Sequence, residues 1–83
     1  MIQLTIDMPE GVLVALHQDP EQFVRALRLA AAVKWYEMQR ISQGLAAEIA
    51  GVSRSEFVAA LNQFGVSPFQ EEAAEIIAAA ERA

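Results

Sequence analysis

Hydrophobic and polar positions change period along the chain. Ile2, Leu4, Ile6 and Met8 alternate with Gln3, Thr5 and Asp7, the two-residue period of a half-buried strand. The run predicts a strand over residues 1–8 that has no partner in its own chain. Unpaired backbone groups are costly, so the strand is expected to pair with the same strand of a second subunit or with a ligand protein. Ile2, Leu4 and Ile6 would then be dimer contacts. Pro9 next opens a short helix to about Leu16, since proline is tolerated in a first turn.

From residue 19 the period becomes helical. Asp19, Pro20 and Gln22 read as an N-cap, a first helical residue and a capping-box partner, which predicts a helix from Pro20 to about Gln39. Between Phe23 and Met38 its polar residues are few (Arg25, Arg28, Lys34, Glu37), and it is apolar nearly all round. Such a helix is buried on more than one side. It is expected at the centre, packed on the rest of its own subunit and on its copy in a partner. Ser42 can cap a helix from Gln43 to Ala50, which Gly51 ends in the left-handed conformation. Ser53 and Glu56 form a second capping box, with Phe57, Leu61 and Phe64 at apolar spacing before Gly65. Ser67, Pro68 and Gln70 signal a last helix over 68–82 with Ile76 and Ile77 in an Ala and Glu background.

The sum is a mainly α fold in a single domain spanning 1–83, with N-terminal helices over 9–39 and a helix-turn-helix over 43–64. A helix-turn-helix needs a small residue where its second helix crosses the first, a glycine in the turn and apolar anchors on both helices. Ala47, Gly51 and the set Ala46, Ala50, Val52, Phe57 and Leu61 meet those needs. DNA reading asks more, because side chains at the start and outer face of the second helix must reach base edges. Ser53, Arg54, Ser55 and Asn62, with Gln43 at the start of the first helix, are the candidates. Arg54 can contact guanine or phosphate and the hydroxyls can hold phosphate, but Val58 and Ala59 offer only methyl contacts. The face is poor in base-reading groups.

The same letters fit a rival. G-V-S-R-S-E before an apolar helix resembles the second helix of ribbon-helix-helix repressors, whose paired strands read DNA through a polar face, here Gln3 and Thr5. The spacing argues against it, because two helices separate strand and motif. The ribbon is therefore expected to dimerise first and contact bases second.

Composition sharpens the dimer expectation. A domain of 83 residues buries only about 60 to 65 % of the surface its unfolded chain exposes. At 54% hydrophobic it has more apolar surface than one thin core hides, and a homodimer is the simplest cover. Charge adds a gradient. The net charge is −5, yet Arg25, Arg28, Lys34, Arg40 and Arg54 lie in the middle, while residues 67–83 carry four glutamates against Arg82. Nucleic acid, if bound, would meet the middle. The absence of cysteine removes disulfides and thiolate metal sites. Without a targeting segment or a run of about 18 apolar residues, the expectation is a cytoplasmic protein that does not enter the membrane.

Over nearly its whole length the chain resembles a family of small prokaryotic proteins, catalogued as uncharacterised (UPF type) and regarded as helix-turn-helix antitoxins. The likeness rests on T-I-D-M-P-E, then A-A-V-K-W-Y-E-M-Q-R-I-S-Q-G-L-A-A-E-I-A-G-V-S-R-S-E-F, then F-G-V-S-P-F-Q. The family pattern puts leucine at Trp35 and glycine at Gln39, and neither change touches the motif. The resemblance implies an antitoxin of a type II toxin-antitoxin module that neutralises a nuclease-like toxin, such as a PIN-like ribonuclease, and represses its own operon. An acidic C-terminal segment could enter a basic nuclease cleft, with Phe69, Glu71, Glu72, Glu75 and Ile76 as the toxin contacts. Those glutamates equally fit a solvated helix face.

Catalysis has little support. His17 is the single histidine, beside Asp19 but without a second ligand, and reads as a surface residue near a helix end. Glu48 and Glu56 lie on successive helices, and Glu56 already serves as a cap. No glycine-rich phosphate loop or metal-ligand spacing occurs, so neither an enzyme nor a cofactor or metal is expected. Two rivals to the antitoxin remain: a stand-alone DNA-binding transcriptional regulator, and an adaptor whose helix-turn-helix only packs.

Overall fold

The computed structural model describes residues 1–68. It contains four helices: α1 (Gly11–Leu16), α2 (Pro20–Glu37), α3 (Gln43–Ala50) and α4 (Arg54–Gln63). The last helix expected over 68–82, with Phe69, Glu71, Glu72, Glu75 and Ile76, lies outside the described residues.

Residues 1–9 form an extended arm without regular secondary structure, and no strand occurs among the described residues. The strand expected over 1–8 is absent from the single chain for a plain reason. A ladder needs a second backbone, and among the described residues none pairs with the arm. Ile2, Leu4, Ile6 and Met8 all stay exposed.

Local signals fix the helix starts. The Asp19 carboxylate accepts from the Gln22 N–H at 2.8 Å while the Gln22 side chain accepts from the Asp19 N–H at 3.0 Å, closing the expected capping box. The Ser42 hydroxyl accepts from the Leu45 N–H at 3.1 Å. Ser53 and Glu56 form the second box, at 3.0 and 3.1 Å. Each arrangement satisfies amides that the first helical turn leaves without partners.

The ends also share one geometry. His17, Gln39, Gly51 and Gly65 have φ of 53°, 61°, 73° and 70°, and in each case the following amide reaches back five residues, as Arg40 N–H does to the Trp35 carbonyl at 2.9 Å. This is the left-handed helix stop. It explains why α2 closes at Glu37, two residues before the expected Gln39: Gln39 itself makes the turn.

The core lies between the second half of α2 and the α3–α4 pair. Ala32, Val33 and Tyr36 of α2 meet Ala46, Ala47 and Ala50 of α3, Phe57 and Leu61 of α4, and Val66 beyond it. Leu29, Ile41, Ile49 and Val52 pack around this cluster. Alanines dominate the α2–α3 contact, so the backbones approach closely and leave room for two large rings. Tyr36 and Phe57 fill it edge to face, with centroids 5.9 Å apart and planes at 88°. No helix among the described residues is long and apolar enough to cross a membrane.

Candidate nucleic-acid and protein-binding surface

Two helices joined by a tight turn form where expected, as α3 and α4. Ala47 is buried and Gly51 makes the turn at φ 73°. Ala46, Ala50, Phe57 and Leu61 are buried as expected, and Val52 is half-buried against them.

The turn is held by a residue whose role was not legible in sequence. Arg28 of α2 donates from Nε to the Ile49 carbonyl at 2.7 Å and from Nη2 to the Glu48 carbonyl at 3.3 Å. A cation thus sits on carbonyls at the C-terminal end of α3, where the helix dipole favours it. The guanidinium also covers the turn: a Cβ on Gly51 would lie 3.1 Å from Nη1 and Nη2. Glycine is required here both by its backbone conformation and by this approach. The spacing marked Arg28 only as one of the few polar residues of an apolar helix; its partners are 20 and 21 residues away.

Four of the five candidate DNA contacts gather at the start of α4. Ser53, Arg54 and Ser55 are exposed there, and Arg54 Nε donates to the Gln43 side-chain oxygen at 2.7 Å. Gln43 in turn donates from Nε2 to the Pro68 carbonyl at 3.2 Å and lies 3.5 Å from the Tyr36 hydroxyl. That hydroxyl donates to the same Pro68 carbonyl at 2.8 Å. Arg54 is therefore oriented through a chain that ends in the core and at the last described residue. The fifth candidate, Asn62, is exposed two turns further along α4, on the face shared by Ser55, Val58 and Ala59. Sequence reasoning treated Tyr36 only as part of an apolar run and missed its hydroxyl's role.

Electrostatics at this end are set by the cap. The Ser53 backbone N–H, and after it the Ser53 hydroxyl, hydrogen-bond the Glu56 carboxylate and hold its pKa below the ordinary glutamate value. Glu56 is thus an anion devoted to the helix start. Glu48 is exposed on α3, and His17 sits at the left-handed stop of α1. Among the described residues, no three His, Cys, Asp or Glu side chains are grouped to hold a metal ion.

A second feature lies at the other end of α2. Ile6, Met8, Val12, Leu13, Phe23, Val24 and Leu27 line an open apolar groove of about 220 Å³, bordered by Pro9, Glu10 and Pro20. It brings the arm together with α1 and the start of α2. The alternating pattern of residues 1–8 pointed to an unpartnered apolar edge, but not to this groove beneath it.

Neither a curated protein nor a solved structure matches the chain. A family model does match across residues 1–82, that of the uncharacterised protein family UPF0175, and the chain belongs to this family.

Proposed function

We propose that the protein is a homodimeric, cytoplasmic antitoxin that binds a nuclease-like toxin and contacts the DNA of its own operon through α3 and α4. The observation that carries the DNA part is the Arg54–Gln43 pair, an oriented cation at the exposed start of the second motif helix. A guanidinium held by one nitrogen keeps its remaining donors available for phosphate or guanine. The toxin part rests on the family resemblance and on the acidic residues Glu71, Glu72 and Glu75, whose charge suits a basic nuclease cleft. The arm residues Ile2, Leu4 and Ile6 supply an edge for the second subunit.

The test is coexpression with the adjacent open reading frame, followed by promoter binding at several salt concentrations. A neighbour that is toxic alone, harmless with this protein and copurified with it supports the antitoxin. Salt-sensitive promoter binding that Arg54→Ala abolishes supports DNA contact. Promoter binding without any toxic neighbour makes the protein a stand-alone regulator. Neither activity leaves the adaptor reading, with the motif serving only to pack.

A further inference from the structure

Helix α2 has two apolar faces; among the described residues one is buried in the core, and the other meets only the arm and α1, along its N-terminal half. Leu29, Ala32, Val33 and Tyr36 face the core. Nearly opposite, Val24, Leu27, Ala31 and Trp35 form a second stripe at helical spacing, which Met38 continues at the C-cap just beyond the helix. Val24, Trp35 and Met38 keep 51, 45 and 52 % of their surface exposed, and Leu27 and Ala31 are half-buried. We infer that this stripe is the seam of a homodimer in which two α2 helices pack antiparallel about a two-fold axis at Ala31.

The occupant follows from the symmetry of the stripe. Its spacings are three, four, four and three residues, the same read from either end. An isologous interface demands such a self-complementary patch. With Ala31 on Ala31, Leu27 of each subunit meets Trp35 of the other and Val24 meets Met38. Small residues at the crossing let the backbones approach, and the large ones interlock on either side.

Charge agrees. The two cations bordering the stripe are already engaged within the subunit: Arg28 on the Ile49 and Glu48 carbonyls, and Lys34 with Glu37 at 3.0 Å. Neither needs to be stripped of water without a partner. Area asks for more than the stripe alone. A stable interface hides about 800 Å² on each partner, more than one short helical stripe provides. Val24 and Leu27 also line the groove beneath the arm, so the stripe runs on into Ile6 and Met8 as one surface.

The seam rests on the homodimer reading above and gives it a register. The test uses the full chain, which has no cysteine of its own. Wild-type protein at micromolar concentration is measured by light scattering, then Ala31→Cys is treated with a short bis-maleimide. Expected are a mass twice 9.1 kDa, a covalent dimer from Ala31→Cys, and none from the control Leu45→Cys on the exposed side of α3. Mixed Val24→Cys and Met38→Cys chains should link to each other more readily than either links to itself. Ala31→Glu should lose the dimer while circular dichroism keeps its helical signal. A wild-type monomer overturns the homodimer and the seam together. A dimer in which Ala31→Cys stays unlinked and Ala31→Glu still pairs overturns the seam alone, leaving the arm as the interface.

Discussion

Residues 1–27 and residues 28–68 have similar apolar content, about half in each, yet every buried side chain among the described residues belongs to the second region. The difference lies in arrangement. In the second region, Ala32, Ala46, Ala47, Ala50 and Ala60 let three helices come close enough for Tyr36, Phe57 and Leu61 to be enclosed from all sides. In the first, a six-residue helix and an extended arm present larger apolar residues to a single helix edge. A helix of that length is not stable by itself. One layer cannot close a core, so apolar content translates into burial only where a second layer faces it. Among the described residues the first region thus leaves its apolar surface open, while the second closes a core of its own.

The largest test of that contrast compares Phe57→Ala with Val14→Ala. Phe57 is fully enclosed, so its truncation should cost about 3 to 5 kcal/mol, a large share of the total stability of a domain this small. Val14 is 75 % exposed, and its truncation should stay within about 0.5 kcal/mol. Urea titration followed by circular dichroism reads both. Comparable losses would mean that the first region shares the core after all.

The turn between α3 and α4 comes next. Gly51→Ala should cost about 1 to 2 kcal/mol from the positive φ, with a further cost from the Arg28 guanidinium 3.1 Å from the new Cβ. In an Arg28→Ala background only the backbone cost should remain. The double-mutant cycle therefore measures how tightly α2 is bound to the turn, and strict additivity would show that Arg28 gives way freely.

A gain is expected at the junction of α2 and α3. Gln39 adopts φ 61°, a conformation that costs a side chain about 1 kcal/mol, so Gln39→Gly should stabilise by roughly that amount. In a domain this small it raises Tm by about 4 to 8 °C. An unchanged or lower Tm would show that the glutamine side chain compensates for its backbone.

The smallest effect concerns pH. Glu56 has a pKa held below its unfolded value by the Ser53 amide and hydroxyl. Its contribution is therefore present in full above the ordinary glutamate pKa, and is lost as pH falls through that value and then through the lower folded one. Wild type should be more stable than Glu56→Gln near neutral pH, and the two should converge in acid. A difference that persists below pH about 3 would assign the effect to something other than the charge.

Much of this architecture could be read from the letters. The helix starts came from Asp19, Ser42 and Ser53 with their partners three residues on, and the stop of α3 from Gly51, because caps are local chemistry within one turn of chain. The end of α2 was placed at Gln39 because glutamine gives no stop signal. Of the candidate site, Ser53, Arg54, Ser55 and Gln43 were named from the motif, and the structure brings them together. Their organisation was hidden, since the Arg54–Gln43–Pro68 chain joins residues 11 and 25 positions apart.

The chain alone thus determined the number of the described helices, the starts of α2, α3 and α4, the existence of the turn and the two-sided apolar character of α2. Periodicity and capping need no knowledge of distant residues. Only the tertiary structure decided which side of α2 the core takes, that Arg28 closes α3 and that Tyr36 reaches the Pro68 carbonyl. Both sides of α2 are apolar in sequence, and which one is buried depends on how α3 and α4 fold back upon it. By taking one side, the fold leaves Val24, Trp35 and Met38 of the other exposed.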